Sequence, residues 1–256
     1  MRRDVLSNLS GLPTRSICIP SPTGIAPVRV LPAVRFFREE SALINLIETN
    51  VLYSAVVSDA LDALGHPGQC ARPGLLPLTV KTPLIGRCRT TLWGDMTHKD
   101  PEPYAKELQA VDSLTPGDVM IAAAFGSMRS GIWGELLTTA AMNRGCTGVI
   151  VEGGVRDLAK IRSYEFPVYA LGTSPLDSQN RQRVLDCDVP VEILGVLVHS
   201  GDLVVADEDG VVFVPQAVEQ EVLDFARQKA EDENRVRDAI RNGMLAKEAY
   251  DRFGIL

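Results

Sequence analysis

Two adjacent charged residues, Arg156 and Asp157, follow an apolar run and a pair of glycines, Gly153 and Gly154. The apolar run, TGVIVE, predicts a buried strand, and the glycines predict a sharp turn at its end. Ligand sites of open α/β folds gather at the carboxyl ends of strands. At such a position, Arg156 could bind a carboxylate through two parallel hydrogen bonds. Asp157 could hold Mg²⁺ or Mn²⁺, hard cations that prefer carboxylates, waters and substrate oxygens.

A third charged residue, Glu135, lies between a glycine-bearing loop, FGSMRSGIWG, and a predicted helix, ELLTTAAMNRG. The first amides of a helix have no partner within it, so together with the helix dipole they attract anions. Twenty residues separate Glu135 from Arg156. A helix, a strand and a turn of this combined length can bring Glu135 within water-bridged reach of the same metal. Considered alone, Asp157 could instead cap the helix that follows it.

Helices and strands must alternate around these residues to position them. Residues 43–65 and 101–113 have helical patterns, whereas TPGDVMIAAA (115–124) predicts a tight turn and then a buried strand. Short β-rich segments cluster late in the chain, and a charged helix of about forty residues is predicted from Gln216 onward. This order predicts an α/β fold with a mixed sheet flanked by helices.

The composition excludes several classes of function. A net charge of −7 argues against a nucleic-acid binder, and no apolar run has the length to cross a bilayer. The five cysteines are scattered, which indicates neither a disulfide framework nor a zinc site. We therefore expect a cytoplasmic protein without nucleic-acid or membrane partners. Residues 1–32 are rich in Ser, Pro and Gly and could form a transit peptide, although an extended arm is the favoured interpretation.

Other residue types that bind ligands lack partners at a suitable spacing. The histidines are isolated in sequence: His66, His98 and His199. Arg129, in the glycine loop, could recognise a second substrate carboxylate or could simply be solvated. The acidic run from Asp207 to Asp209 indicates turn chemistry before Gly210, with a second metal site as the alternative.

The stretch WGELLTTAAMNRGCTGVIVEGGVRD resembles the signature of the class II 4-hydroxy-4-methyl-2-oxoglutarate / 4-carboxy-4-hydroxy-2-oxoadipate aldolases. That family also contains the regulators of RNase E activity. Its metal-dependent members share an acidic residue, twenty intervening residues and then Arg-Asp, a pattern that Glu135, Arg156 and Asp157 fit.

Two flanking segments resemble the same family. SDALDALG (58–65) is similar to the family's early helix, and VHSGDLVVADEDGVVFVP (198–215) is similar to its late hairpin. The similarity therefore covers about residues 45–230.

The resemblance also implies a fold and an assembly. The fold would be a layered α/β sandwich like the phosphohistidine (swivelling) domain. The chain would comprise an N-terminal arm (1–40), an aldolase-like domain (41–232) and a C-terminal helical extension (233–256). Active sites of the family lie between subunits, so we expect a homotrimer or a homohexamer.

Carried over residue by residue, the resemblance implies roles at the site. Arg156 would bind the keto acid and stabilise developing enolate charge, Asp157 would be the direct metal ligand, and Glu135 would orient a water on that metal. The substrate carboxylate would be bound by backbone amides at Gly134, Glu135, Leu136 and Leu137.

The implied reaction is cleavage of a 4-hydroxy-2-oxo acid into pyruvate and a second keto acid, assisted by Mg²⁺ or Mn²⁺ as a Lewis acid. Oxaloacetate decarboxylation would follow, because it forms the same enolate. The sequence does not identify the base, and a water on the metal is our expectation because no histidine lies inside the motif. The alternative is a non-catalytic protein that regulates RNase E by binding a partner. A methyltransferase lacks support, since no glycine-rich nucleoside motif follows a first strand.

Overall fold

The structure is a computed structural model, and it describes residues 52–255. The predicted N-terminal arm and the start of the predicted helix over 43–65 lie outside these residues. The helices are α1 (Ser54–Ala63), α2 (Ala105–Asp112), α3 (Glu135–Asn143), α4 (Leu158–Ser163), α5 (Glu219–Arg241) and α6 (Ala246–Phe253). The strands are β1 (Leu76–Pro77), β2 (Leu84–Asp95), β3 (Asp118–Ala123), β4 (Gly131–Trp133), β5 (Gly148–Val155), β6 (Val168–Thr173), β7 (Gln182–Cys187), β8 (Val191–Ile193), β9 (Val196–Val198), β10 (Leu203–Ala206) and β11 (Val211–Val214).

Most of the described strands join one mixed sheet in the order β1-β6-β5-β3-β2-β10-β11, with β4 beside β5 and β7 beside β2. Its centre, from β2 through β3 and β5 to β6, is parallel. Antiparallel strands complete the sheet on both sides, with β1 next to β6 and β10 next to β2. The predicted α/β class with a mixed sheet is confirmed, whereas the particular likeness to the phosphohistidine domain stays a prediction.

The side chains of the central strand β3 alternate between two cores. Val119 and Ile121 belong to a cluster that the β8–β9 hairpin covers, whereas Met120 and Ala122 belong to a cluster beside α2, α3 and α4. A third cluster packs α1 and α5 against β10 and β11. Because both faces of the sheet are covered, the sequences of β3 and β5 are almost continuously apolar.

The glycine loop and the double glycine differ from the sequence prediction. The loop contains the short strand β4, and β5 continues through Gly153 and Gly154 to Val155 instead of turning at the glycines. A Cβ atom on Gly154 would lie 2.6 Å from the Ser130 carbonyl oxygen. The double glycine therefore permits the close approach of β4 to β5, which a side chain would prevent.

The charged C-terminal segment forms two helices instead of the predicted single one. A short 3₁₀ turn over Gln216–Val218 leads into α5. Gly243 adopts a positive φ of 96° after α5, and the Met244 amide donates to the Ala239 carbonyl at 3.1 Å. This left-handed cap ends α5 before α6 begins. The domain boundary predicted after residue 232 falls inside α5, and the division into domains stays a prediction.

Among residues 52–255, no helix is both long and apolar enough to cross a membrane.

Candidate active site

A cleft of about 330 Å³ opens where β5 ends and α3 begins. It lies at the carboxyl ends of parallel strands, where ligand sites of α/β folds gather. The cleft wall contains every site residue predicted from the sequence: Gly134, Glu135, Leu136, Leu137, Arg156 and Asp157. The structure thus brings these residues together, while their chemical roles stay predictions.

The pairing of β4 with β5 brings the residues that start α3 next to Arg156 and Asp157. The Arg156 amide donates to the Trp133 carbonyl at 2.8 Å, which places the loop before α3 alongside the end of β5. A Cβ atom on Gly134 would lie 2.8 Å from Asp157 Oδ2 and 3.1 Å from Arg156 Cγ. Only glycine fits this position without displacing a charged side chain.

Asp157 occupies an uncommon backbone conformation, with φ 59° and ψ 25°. It stands at the N-cap position of α4, but its side chain makes no capping hydrogen bond there, so the capping alternative is wrong. Its Oδ2 atom instead accepts a hydrogen bond of 3.2 Å from the Glu135 amide at the start of α3. Within residues 52–255, Asp157 Oδ1 has no hydrogen-bond partner. A left-handed aspartate with one free oxygen at the cleft suits a ligand-binding role.

Arg156 is fixed along one edge by a second aspartate. Its Nη1 atom lies 2.8 Å from Asp177 Oδ2, and the Tyr104 hydroxyl donates to Asp177 Oδ1 at 2.7 Å. Partial burial of Asp177 favours the neutral acid, but hydrogen bonds from the Gln179 amide, Tyr104 and Arg156 prevail and lower its pKa. Burial and the bond to Asp177 raise the pKa of Tyr104 to about 12. Asp177 therefore remains charged and holds the guanidinium at the cleft.

Glu135 is more constrained than Asp157. The Tyr164 hydroxyl donates to Glu135 Oε1 at 2.7 Å, and Lys160 Nζ lies 3.9 Å from Oε2. The bond to Glu135 raises the pKa of Tyr164. Both carboxylate oxygens of Glu135 therefore have neighbours on or just after α4. This arrangement suits a residue that orders a water better than a direct metal ligand.

Three residues that the sequence did not single out also shape the site: Tyr104, Glu107 and Asp177. Tyr104 and Glu107 approach the cleft from the start of α2, and Asp177 comes from the segment after β6. Burial raises the pKa of the Glu107 carboxyl to about 8. The sequence predicted a helix near residues 101–113 but contained no signal that it would face Arg156.

The donor set fits a hard divalent cation. In the part of the chain that the structure describes, no three His, Cys, Asp or Glu side chains cluster as metal ligands. Structural zinc, which needs four protein ligands, therefore does not fit. Mg²⁺ is commonly held by one or two carboxylates, with waters and substrate oxygens filling the other positions. The free oxygen of Asp157, with Glu135 nearby, meets that requirement.

The other sequence candidates lie away from this cleft. Arg129 and His98 are exposed and do not line it. Asp207 accepts hydrogen bonds from the Ser54 amide at 2.7 Å and the Ser54 hydroxyl at 2.6 Å. It also accepts one from the Asp209 amide at 3.0 Å, as a turn residue does. The acidic run before Gly210 therefore closes its own turn and holds the start of α1.

Comparison with known proteins assigns the family. The sequence profile of the RraA-like family, described as Aldolase/RraA, matches residues 54–213, which is more than half of the chain. The chain belongs to this family, and the family predicted from the motif is confirmed.

Two relatives and one solved structure illustrate the similarity. A Halalkalibacterium halodurans protein named "Putative 4-hydroxy-4-methyl-2-oxoglutarate aldolase" is 29% identical over 76% of this chain and 87% of its own length. Protein DlpA of Legionella pneumophila is 30% identical over 84% of this chain, which spans only 35% of DlpA. The crystal structure of Streptomyces coelicolor RraAS2 has a TM-score of 0.67 at 30% identity and covers 75% of this chain and 96% of that one. RraAS2 is described as an unusual member of the RNase ES inhibitor RraA protein family.

Proposed function

We propose that the chain is a divalent-metal-dependent class II aldolase. Its substrate would be a 4-hydroxy-2-oxo acid such as 4-hydroxy-4-methyl-2-oxoglutarate, and its products would be pyruvate and a second keto acid. One observation carries the proposal: a single cleft contains the start of α3, the Arg156 guanidinium and the free oxygen of Asp157. In a member of the Aldolase/RraA family, these groups match the charges of a keto acid bound to a cation.

The start of α3 offers an anion site for the substrate carboxylate. Asp157 accepts from the Glu135 amide, whereas the amides of Leu136 and Leu137 have no partner within the helix because they belong to its first turn. With the positive end of the helix dipole, these amides would hold a carboxylate at the cleft wall.

Arg156 would bind and stabilise the reacting end of the substrate. Asp177 occupies Nη1 of the guanidinium. Nε lies 3.7 Å from Asp157 Oδ2, which leaves Nη2 to donate to the 2-keto oxygen, where negative charge develops as the enolate forms. This charge is larger in the transition state than in the bound substrate. The interaction would therefore stabilise the transition state more than the substrate and lower the activation free energy.

Asp157 would hold the cation through Oδ1, and Glu135 would order a water beside it. When bound, the cation supplies Lewis-acid polarisation of the 2-keto group. The same site would release pyruvate from oxaloacetate, because loss of CO₂ leaves the enolate that Arg156 is placed to stabilise. No lysine needs to form a Schiff base.

The test is pyruvate release from 4-hydroxy-4-methyl-2-oxoglutarate and from oxaloacetate, measured with Mg²⁺ or Mn²⁺ and after EDTA. We expect release that needs the metal and is lost in Asp157→Ala. Asp62→Ala, which changes an exposed aspartate on α1, is the matched control and should behave as the unchanged chain. Metal-independent release, or full activity in Asp157→Ala, would contradict the proposed site.

A second candidate function is regulation of an RNase through partner binding. It is favoured by the likeness to RraAS2 and by the exposed apolar side chain of Leu136 at the mouth of the cleft, which is 77% exposed. Pyruvate release from neither substrate, together with inhibition of an RNase E-type enzyme, would support this candidate over the aldolase.

We also propose that the enzyme assembles as a homotrimer or homohexamer. Large apolar side chains are exposed at Leu136, which lines the cleft, at Leu176, which precedes Asp177, and at Phe125, which follows β3. Such side chains are costly to leave in water and are typical of subunit interfaces. Light scattering after size exclusion should report three or six copies, and an active monomer would contradict the assembly.

A further inference from the structure

A carboxyl group without a hydrogen-bond partner is buried beside the guanidinium of the site. Glu107, on α2, is only 8% exposed and lines the cleft together with Arg156. Within residues 52–255 it makes no hydrogen bond and no ion pair. A carboxylate that is largely buried without a partner is costly, so a purely structural position would favour an apolar residue.

The surroundings of Glu107 set its charge. Asp177 opposes ionisation of Glu107, Arg156 favours it, and burial, the largest influence, raises its pKa to about 8. Asp100 is paired with Arg183 at 3.1 Å in a small recess that Glu107 also lines. The remaining titratable or charged groups that line this recess or the cleft are Glu102, Tyr104, Lys106, Glu135, Asp157 and Lys160.

We propose that Glu107 is the group that moves the proton during aldol cleavage: it removes the C4 hydroxyl proton of the substrate and returns that proton to C3 of the pyruvate enolate. The assignment rests on the proposed aldolase function. It replaces the water that the sequence suggested as the base with a side chain of this protein.

The proposed step balances with a single carboxyl group. Glu107 as a carboxylate accepts the hydroxyl proton, the O–H electron pair forms the C4 carbonyl, and the C3–C4 bond breaks. The electron pair of that bond passes to the pyruvate fragment as the enolate. Glu107, now neutral, gives the proton to C3 and completes the methyl group of pyruvate, so no oxidant, reductant or further proton is needed.

The other polar groups at the cleft fit this role less well. Tyr104 has a pKa of about 12 and donates a hydrogen bond to Asp177, so it stays protonated at neutral pH and does not serve as the base. Glu135 accepts from Tyr164, and Asp157 is assigned to the cation. A base is most effective when its pKa lies near the working pH, which Glu107 satisfies.

The decisive test compares two reactions of the metal-loaded protein in Glu107→Gln. Retro-aldol cleavage needs a base, whereas oxaloacetate loses CO₂ without one, and solvent can protonate the released enolate. We expect cleavage of 4-hydroxy-4-methyl-2-oxoglutarate to fall by about 10²- to 10⁴-fold, the usual contribution of a general base. Decarboxylation of oxaloacetate should be retained. Asp112→Asn, which changes an exposed acid at the end of the same helix outside the recess and the cleft, is the matched control and should alter neither reaction.

The pH profile gives a second signature. In the unchanged protein, cleavage should rise with pH through a limb near 8 as Glu107 becomes a carboxylate, and this limb should be absent from decarboxylation. Glu107→Asp, which keeps the acid, should restore part of the cleavage that Glu107→Gln loses.

The pH dependence of thermal unfolding tests the titration of Glu107 in the metal-free protein without an activity assay. The folded chain holds a proton on Glu107 up to about pH 8, whereas an unfolded glutamate loses it near 4.5. The Glu107 contribution to stability is therefore fully present below 4.5 and declines as pH rises to about 8. Thermal unfolding of Glu107→Gln should lack this decline, and an unchanged pH dependence would overturn the assignment.

The outcomes separate the two proposals. Equal losses of cleavage and decarboxylation in Glu107→Gln, or no loss of either, would overturn the role of Glu107 alone. A wild-type chain that releases pyruvate from neither substrate would overturn the aldolase function and this role together.

Discussion

Two aspartates stand at helix starts in this protein, and their surroundings differ sharply. Asp207 meets the start of α1 and accepts three hydrogen bonds of 2.6 to 3.0 Å, so both of its oxygens are occupied. Asp157 meets the start of α3 through one contact of 3.2 Å and keeps its second oxygen free. It does so in a left-handed conformation that costs energy.

The difference separates a structural carboxylate from the one that we propose to bind a ligand. Asp207 satisfies the backbone of its own turn and of α1, so its bonds contribute to folding. Asp157 leaves α4 without a side-chain cap and directs its charge to a cleft that also holds Arg156. Substitutions at the two positions should therefore change different properties of the molecule.

The largest expected effect is the loss of activity in Asp157→Ala. Removing the proposed cation ligand should lower kcat/KM for pyruvate release on the order of 10³-fold, because Lewis-acid stabilisation is worth several kcal/mol. Thermal unfolding of the metal-free protein should change less than in Asp207→Ala, since the Asp157 side chain makes one hydrogen bond of 3.2 Å and lies 3.7 Å from Arg156 Nε. The loss that remains should come mainly from placing alanine at a φ of 59°. A stability loss as large as that of Asp207→Ala would contradict the expectation that the two aspartates have different roles.

A side chain at Gly134 should have the next largest effect. The added Cβ of Gly134→Ala would lie 2.8 Å from Asp157 Oδ2, so the Asp157 carboxylate must move. A displacement of about 1 Å can cost about 10²-fold in rate. Gly210→Ala is the control, because a Cβ there meets nothing within 4 Å. The kinetics of both variants check the expectation, and equal activity would contradict it.

Removing the charge that fixes Arg156 should lower the activity by a smaller factor. Asp177→Asn removes the charge that holds the guanidinium, and we expect kcat/KM to fall by about 10- to 100-fold, as for other groups that orient a ligand-binding side chain. Asp188→Asn is the matched control, since Asp188 pairs with Arg89 at 3.0 Å on another part of the surface. Similar kinetics for the two variants would mean that Asp177 does not position Arg156.

The smallest expected effect is on stability at the structural aspartate. Asp207→Ala should lower the free energy of unfolding by about 1 to 2 kcal/mol through loss of a helix-start contact. Activity per folded molecule should be unchanged. Chemical denaturation with enzyme assays on the same samples checks both expectations, and a loss of metal-dependent activity would revive the acidic turn as a metal site.

Much of the site could be predicted from the sequence because its residues lie in one continuous motif. Glu135, Arg156 and Asp157 are linked by a single helix and strand, and local patterns predicted both elements. The class of fold followed from the order of helices and strands. The sequence could not show that the double glycine serves the close approach of β4, because that contact depends on Ser130 in the preceding loop.

The rest of the site depends on long-range packing. Asp177 reaches Arg156 from twenty-one positions further along the chain, and Tyr104 reaches Asp177 across 73 positions. Glu107 looks like any acid of a charged helix until α2 packs beside α3 and buries it. The local pattern of apolar residues does not indicate which face of α2 will line a charged cleft.

The most direct test of the central claim is a Mn²⁺ titration of the purified, metal-free chain, compared with Asp157→Ala and Asp207→Ala. Electron paramagnetic resonance reports free Mn²⁺ and so measures binding without any assay of activity. We predict one site per chain that Asp157→Ala loses and Asp207→Ala retains. Unchanged binding in Asp157→Ala would contradict the assignment of the free oxygen of Asp157 to the cation.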